Sequence, residues 1–183
     1  AGGVDAIVAT GAEAAGHRVS FLKPAEQSLV GLFSLVPQTV DAVRVPVIAA
    51  GGIADRRGVS AALALGASGV QVGTAFLATD ESAANDAHRA AIRGTTDDGS
   101  VLTRAMSGRL ARGARNRVVA GIEESGAIAP FPAQNWLTGR FRAVAGQRGL
   151  GELQSLWLGQ SAPLARRDAA SDVFAELLAG VPA

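Results

Sequence analysis

The 183-residue sequence contains no cysteine. This absence excludes a disulfide framework, a zinc site built from thiolates and a cysteine nucleophile. No uninterrupted apolar run reaches the roughly 18 residues that a membrane-spanning helix needs, and no stretch has the pattern of a signal peptide. We therefore expect a cytoplasmic protein that does not enter a membrane.

A concentration of charge is also lacking. Hydrophobic residues make up 48% of the sequence, charged residues make up 18%, and the formal net charge is +1. The arginines are interspersed with acidic and apolar residues, which is typical of a solvated helical surface and not of a nucleic-acid-binding stripe. The composition predicts an ordinary globular domain with a hydrophobic core and no nucleic-acid partner.

Three short apolar runs each end at a turn that contains glycine. Strands of a parallel sheet are usually covered on both faces, so short and continuously apolar runs predict parallel strands that are buried on both sides. The runs are residues 4–9 before Thr10-Gly11, residues 45–50 before Gly51-Gly52, and residues 69–72 before Gly73-Thr74.

Helical patterns accompany these runs, at residues 33–43, 55–65 and 82–93. Asp55 is a typical N-cap, and Gly66 is a typical glycine at the end of a helix. A strand, a helix and a further strand joined by short loops form a βαβ unit, so this part of the chain predicts a parallel α/β sheet.

The character of the sequence changes after Gly94. A polar loop precedes a predicted short strand at residues 101–106, and helices are predicted at residues 118–125, 134–145 and 168–178. We therefore divide the chain into residues 1–94, which supply βα units, and residues 95–183. The second part is predicted to be a helical extension that packs on the sheet without forming an independent domain.

Glycine-rich turns after consecutive strands favour a closed (β/α)8 barrel, whose loops after the last two strands commonly bind phosphate. The Gly-x-Gly-x-x-Gly spacing of a Rossmann fold is absent from all three turns. A whole barrel needs about 250 residues, so this chain can supply only part of one. The predicted fold class is α/β, the C-terminal portion of a TIM barrel with a helical C-terminal extension, and we expect an upstream part of the protein before residue 1.

The turns after the second and third strands are the main candidates for a ligand site. Gly51 and Gly52 can bring backbone N–H groups against an oxyanion because no Cβ obstructs the approach. Gly73 adds a further N–H group and Thr74 adds a hydroxyl. Because adjacent parallel strands end at the same edge of a sheet, the two turns predict one shared phosphate site.

His17 is the candidate for proton transfer. It follows the first predicted strand, so we expect it on a loop at the same rim as the glycines. A histidine with a pKa near 6.5 can accept a proton at neutral pH; the alternative is a plain surface residue. The remaining candidates have simpler interpretations. Asp55 is interpreted as an N-cap, Glu13 as a brace of the His17 loop or an exposed acid, and His88 as a solvated helix residue. Trp136 and Trp157 are interpreted as packing residues, although Trp157 could reach over a cavity, and Ser107 has no evident activating base. Nothing resembles a cluster of metal ligands.

Several stretches together resemble the nitronate monooxygenase family, formerly called 2-nitropropane dioxygenases, over nearly the whole chain. The combination is specific, whereas each motif alone is only moderately so. In the first part the stretches are GAEAAGHR (11–18), PVIAAGGIAD (46–55), AALALGA (61–67) and QVGTAFLAT (71–79). In the second part they are SGR (107–109), RG (112–113), RNR (115–117), QNWL (134–137) and SLWLGQ (155–160).

This resemblance implies an FMN-dependent TIM barrel about twice as long as the chain, which would be its C-terminal half. It implies that His17 is the base that takes the α-proton from a neutral nitroalkane, whereas a nitronate needs no base. The implied partners are a nitronate or nitroalkane and O2, and a homodimer is left open. The residues implied to bind FMN are Thr10, Ala15, Gly51, Gly52, Gln71, Val72, Gly73 and Thr74.

Three positions depart from the family pattern. Thr10 stands where the family often has glutamine or another polar residue facing the flavin, Ala15 replaces a common glycine, and Val19 replaces the glycine that often follows His-Arg. Because of these departures, the resemblance defines the substrate class less firmly than it defines the flavin cofactor. Two enzyme alternatives share the barrel and the glycine loops, namely a flavin-dependent enoyl-acyl-carrier-protein reductase and an NAD(P)H:quinone reductase. A non-catalytic barrel fragment that binds a phosphate ligand is the alternative from another class.

Overall fold

The computed structural model describes residues 3–182, which form a mixed α/β fold. Strands and helices alternate in the first half, and three short 3-10 turns lie at Ala25–Ser28, Gly151–Leu153 and Ala162–Leu164. The strands are β1 (Ile7–Thr10), β2 (Gly16–His17), β3 (Val47–Ala50), β4 (Gly69–Gln71), β5 (Ser100–Thr103) and β6 (Ala111–Ala114). The helices are α1 (Leu32–Ala42), α2 (Arg56–Ala64), α3 (Thr74–Leu77), α4 (Asp86–Arg93), α5 (Arg117–Ser125), α6 (Ala133–Gln147) and α7 (Ala170–Leu178).

The three predicted strands form a parallel sheet in the order β1-β3-β4. Ile7 is opposite Val47, and Ile48 is opposite Gly69. This register brings the ends of the three strands, and the turns that follow them, to one edge of the sheet. The predicted parallel sheet is therefore confirmed.

The prediction that all three strands are buried on both faces is wrong for the two outer ones. The central strand β3 is largely buried, with Ala49 completely inaccessible. In contrast, Val8 of β1 is 48% exposed, and every residue of β4 is at least partly exposed. The reason is that β1 and β4 are edge strands here, each paired on one side only.

Capping residues fix the ends of the helices. The Asp55 carboxylate accepts a hydrogen bond from the Arg57 backbone N–H at 3.0 Å and caps α2, as predicted. Gly66 follows Leu65, the C-cap residue of that helix, with a φ of +96°. The third predicted helix begins later than expected, at Asp86, because the Asn85 side chain accepts the His88 N–H at 2.9 Å and starts α4 there.

The second half of the chain is not purely helical. It contains α5, α6 and α7, as predicted, but β5 and β6 form an antiparallel sheet together with β2 in the order β2-β6-β5. His17 therefore lies on a strand, paired with Ala111, and the prediction that it lies on a loop is wrong. A strand of two residues is too short to show a periodic pattern in the sequence, and only the pairing with β6 defines it.

The main hydrophobic core joins both halves of the chain. It includes Val36 of α1, Ala49 of β3, Ile92 of α4 and Val173 of α7. Leu158, in the segment between α6 and α7, also belongs to it. A smaller cluster is formed by Ala105, Met106 and Val119 beside the antiparallel sheet. None of the helices within residues 3–182 combines the length and the apolar content that a bilayer crossing requires.

Candidate functional site

A cavity of about 180 Å³ lies at the carboxyl ends of the parallel strands. Seven of the eight residues predicted to bind a cofactor line it, whereas Val72 lines an apolar groove next to α7. The predicted residues that line the cavity are Thr10, Ala15, Gly51, Gly52, Gln71, Gly73 and Thr74. The others are Glu13, Ala14, Ala50, Ile53, Gly159 and Ser161.

The turn after β3 approaches the segment of residues 11–16 so closely that it requires glycine. Gly51 has a φ of +103°, and a Cβ on it would lie 2.8 Å from the Ala14 Cβ. Within the described residues, the backbone N–H groups of Gly51, Gly52 and Gly73 donate to no protein acceptor. These N–H groups line a cavity of a size suited to a phosphate, so the donors that an oxyanion needs are available.

Three charged side chains hold the 11–16 segment in place. The Glu13 carboxylate accepts the Leu32 N–H at 2.9 Å and so caps α1 from a distance in sequence. Arg18 is buried and donates to the Gly11 carbonyl oxygen at 3.0 Å, and Arg112 donates to the Ala12 carbonyl oxygen at 3.0 Å. Two guanidinium groups and one carboxylate are therefore fixed on the segment that lines the cavity, and the backbone of this segment is held in one position.

A second segment, residues 157–161, closes the cavity from the other half of the chain. The Gln160 N–H donates to the Glu13 carbonyl oxygen at 3.0 Å, and the Gly159 N–H donates to Thr74 Oγ1 at 3.1 Å. Gly159 and Ser161 were not predicted as site residues. The only hint in the sequence was the SLWLGQ stretch. A contact between Gly159 and a residue 85 positions earlier leaves no local pattern in the sequence.

His17 lies two residues after Ala15, where the first segment leaves the cavity. Its ring centroid is 5.7 Å from the Trp157 ring and 6.3 Å from the Phe131 ring. Its Nε2 lies 2.7 Å from the Ser107 Oγ. The 11–16 segment, which His17 follows directly, and the 157–161 segment both line the cavity. The same two segments therefore also position the candidate base.

Partial burial of the imidazole lowers the pKa of His17 below 6.5, and the positive charges of Arg109, Arg142 and Arg18 lower it further. Each of these influences disfavours the protonated form. The ring is consequently neutral at pH 7, and one of its two nitrogens carries a lone pair that can take a proton. In chemical terms, the site places a neutral imidazole next to a cavity that is lined by glycine N–H groups without a protein acceptor.

Three interpretations of single residues are corrected by the structure. Ser107, which lacks any evident partner in the sequence, is in contact with His17. His88 is not simply solvated, because its Nε2 lies 2.8 Å from the Trp157 carbonyl oxygen and thereby connects α4 to the 157–161 segment. Trp157 packs beside the site, whereas Trp136 is 70% exposed on α6 and does not pack in the core.

Other features of the described chain do not compete with this site. A larger cavity of about 500 Å³ lies between α4 and residues 151–156, and none of the predicted site residues lines it. Among residues 3–182, no three His, Asp or Glu side chains are grouped so that they could hold a metal ion.

A family model and the curated relatives of this chain identify the same family. The model of the nitronate monooxygenase family matches residues 1–180. A probable nitronate monooxygenase from Staphylococcus aureus (strain JH9) is 49% identical over 178 residues, which are 96% of this chain and 50% of that protein. The chain therefore spans about half the length of the curated relatives that it matches.

Two solved structures are similar over nearly the whole chain. Nitroalkane oxidase from Streptomyces ansochromogenes superimposes with a TM-score of 0.89 at 38% identity, covering 97% of this chain and 52% of that one. FabK from Thermotoga maritima superimposes with a TM-score of 0.75 at 34% identity, covering 96% of this chain and 54% of that one.

Proposed function

The chain belongs to the nitronate monooxygenase family, and from this premise we propose that it supplies the FMN phosphate site and the proton-abstracting base of an enzyme that oxidises nitronates and nitroalkanes with O2. The observation that carries the proposal is that segments 11–17 and 157–161 join the glycine-lined cavity to His17.

The parallel sheet is proposed to be part of a (β/α)8 barrel. Its strands are parallel and are followed by helices, and the glycine turns lie at the carboxyl ends of β3 and β4. Phosphate sites of such barrels are found at this position. The 50% coverage of the relatives is consistent with a barrel that needs further strands to close.

The residues present fit an FMN phosphate. We assign the phosphate to the N–H groups of Gly51, Gly52 and Gly73 and to the Thr74 hydroxyl, whose hydrogen is free to donate while its oxygen accepts from Gly159. Thr10, Ala15 and Gln71 line the same cavity and are assigned to the remainder of the cofactor. When bound, FMN supplies the redox chemistry that the side chains of this chain lack.

His17 is assigned the removal of the α-proton from a neutral nitroalkane. A neutral imidazole is needed for this step, and partial burial together with the nearby arginines lowers the pKa of His17 and keeps the ring neutral at pH 7. A nitronate has already lost this proton, so its oxidation does not depend on His17. The two substrates therefore separate the role of the base from the integrity of the rest of the site.

The test compares wild type with His17→Asn, which keeps a polar group near the position of Nδ1 but removes the base. With bound FMN, we expect turnover of neutral nitroethane to fall by about 100-fold or more, whereas turnover of ethyl nitronate stays within a few-fold of wild type. Equal rates of wild type and variant on nitroethane would contradict the assigned base, and a wild type that turns over neither substrate would favour a barrel that only binds a phosphate ligand.

The similarity to FabK supports a second candidate, a flavin-dependent reductase that uses NAD(P)H. Anaerobic addition of each donor to the yellow holoprotein distinguishes the two. Bleaching by the nitronate but not by NADH or NADPH is expected from the main proposal. Rapid bleaching by a nicotinamide donor alone would favour the reductase.

A further inference from the structure

The contact between Ser107 and His17 joins the second half of the chain to the candidate base. Ser107 is 2% exposed and lies in the loop between β5 and β6. The preceding residues are tied to α6, because Gln134 Nε2 donates to the Ala105 carbonyl oxygen and Thr138 Oγ1 donates to the Met106 carbonyl oxygen. The Ser107 hydroxyl is therefore held in a fixed position 2.7 Å from the His17 Nε2.

The hydrogen of the Ser107 hydroxyl has two acceptors within reach, the His17 Nε2 and the Arg109 carbonyl oxygen. A hydroxyl has one hydrogen to donate, and the Oγ lies 3.2 Å from the Arg109 carbonyl oxygen, which can only accept. The Arg109 N–H, 3.3 Å away, can only donate to the Oγ. If the hydroxyl donates to the carbonyl, the Oγ is an acceptor for an N–H at the His17 Nε2.

This arrangement suits both protonation states of His17. The imidazolium carries a hydrogen on both ring nitrogens, so its Nε2 can only donate, and the Ser107 Oγ can accept. The neutral ring makes the same contact if its hydrogen is on Nε2. No hydrogen bond has to be rearranged when the ring gains a proton at Nδ1, which has no hydrogen-bond partner among residues 3–182.

We propose that Ser107 is a positioning residue for His17: it accepts the Nε2–H, keeps the lone pair on Nδ1, and makes Nδ1 the atom that takes the α-proton. In this step the substrate C–H bond breaks, its electron pair stays on the substrate as the nitronate, and a new N–H bond forms at Nδ1. This inference rests on the proposed function of His17 as the base.

The charges around the ring explain why this hydrogen bond matters. Arg109, Arg142 and Arg18 all disfavour the imidazolium, and among residues 3–182 no carboxylate offsets their effect on the pKa of His17. The Ser107 Oγ, oriented by the Arg109 carbonyl, is the acceptor that faces the charge as it forms. A hydrogen bond to a charged group is stronger than one between neutral groups, so the contact stabilises the product of proton transfer more than the starting state.

The test uses the full-length FMN-loaded protein and the variant Ser107→Ala, with Ser107→Thr to restore the hydroxyl and Ser125→Ala as an unrelated serine control. We expect Ser107→Ala to lower kcat/KM for neutral nitroethane by about 10- to 100-fold and to leave ethyl nitronate within about twofold. The acidic limb of the pH profile for nitroethane should move to lower pH, since the imidazolium loses its acceptor.

A readout that does not need turnover is the ¹⁵N spectrum of ¹⁵N-histidine-labelled protein, with the His17 signal assigned by its loss in His17→Asn. The wild-type ring is expected as the Nε2–H tautomer, and Ser107→Ala should mix the tautomers. An Nδ1–H tautomer in wild type would overturn the proposal even if Ser107→Ala did not fold. An equal loss of kcat/KM on nitroethane and ethyl nitronate in Ser107→Ala would also overturn it. Failure of the proposed function can be recognised separately. If wild type does not turn over nitroethane, the tautomer of His17 can still be measured.

Discussion

Replacing Gly51 with alanine tests the close approach between the turn after β3 and the 11–16 segment. A φ of +103° costs a residue with a Cβ about 1–3 kcal/mol. The new Cβ would also lie 2.8 Å from the Ala14 Cβ and 2.9 Å from its backbone nitrogen, and such overpacking costs about 1–3 kcal/mol more. The reduced entropy of the unfolded chain offsets about 0.4–1 kcal/mol. We therefore expect Gly51→Ala to lower the free energy of unfolding by about 3 kcal/mol.

Two neighbouring glycines provide matched controls. Gly52 has a φ of +70°, and the nearest atom to a new Cβ would be at 3.4 Å, which is an ordinary contact. Gly52→Ala should therefore carry only the backbone cost of about 1–2 kcal/mol. Gly73 has a φ of −111° and no atom within 4 Å of a new Cβ. Gly73→Ala should leave the stability of the FMN-free protein unchanged.

The assay is thermal and urea unfolding of the FMN-free protein, followed by titration with FMN. A loss of about 3 kcal/mol corresponds to a midpoint about 6–12 °C lower for a protein of 150–250 residues, and to a smaller shift for a longer one. Gly73→Ala should weaken FMN binding without lowering the midpoint, because its Cβ occupies space left open beside the cavity. Equal destabilisation by Gly51→Ala and Gly52→Ala would refute the argument from the Ala14 contact, and unchanged FMN affinity in Gly73→Ala would refute the phosphate assignment.

Three further predictions concern pH and single contacts. Because partial burial and the nearby arginines lower the pKa of His17, kcat/KM for a neutral nitroalkane should rise with pH through a midpoint below 6.5 and then level off. A nitronate should show no such limb, and a midpoint above 6.5 would contradict the electrostatic argument. Asp55→Ala removes the N-cap of α2 and should cost about 1 kcal/mol in urea unfolding, whereas Asp55→Asn should retain most of it. Glu176 is hydrogen-bonded to Arg56 and Arg167, which lower its pKa to about 2; the stabilisation is present above the ordinary pKa of 4.5 and is lost as the pH falls towards 2. The difference in melting temperature between wild type and Glu176→Gln should shrink over that range, and a difference that does not depend on pH would exclude these ion pairs as its cause.

Local sequence determined the parallel sheet and the ends of its elements. Continuous apolar runs that stop at glycine identified β1, β3 and β4, because such runs are typical of strands covered on both faces. Asp55 and Gly66 marked the ends of α2, because capping depends on residues that are close in sequence. The glycine turns also pointed to one cavity, since parallel strands that are adjacent must end at the same edge.

Only the tertiary structure decided what surrounds His17. Strand β2 has two residues, too few for any period, and its pairing partner β6 is more than 90 positions away. The contact of His17 with Ser107, the contribution of Gly159 and Ser161 to the cavity, and the link from His88 to the Trp157 carbonyl all join distant parts of the chain. A local pattern reports the period and the caps of one element, whereas these contacts depend on how the elements pack. The sequence thus located the glycine cavity, and the packing of the second half against the first placed Ser107 and Trp157 beside His17.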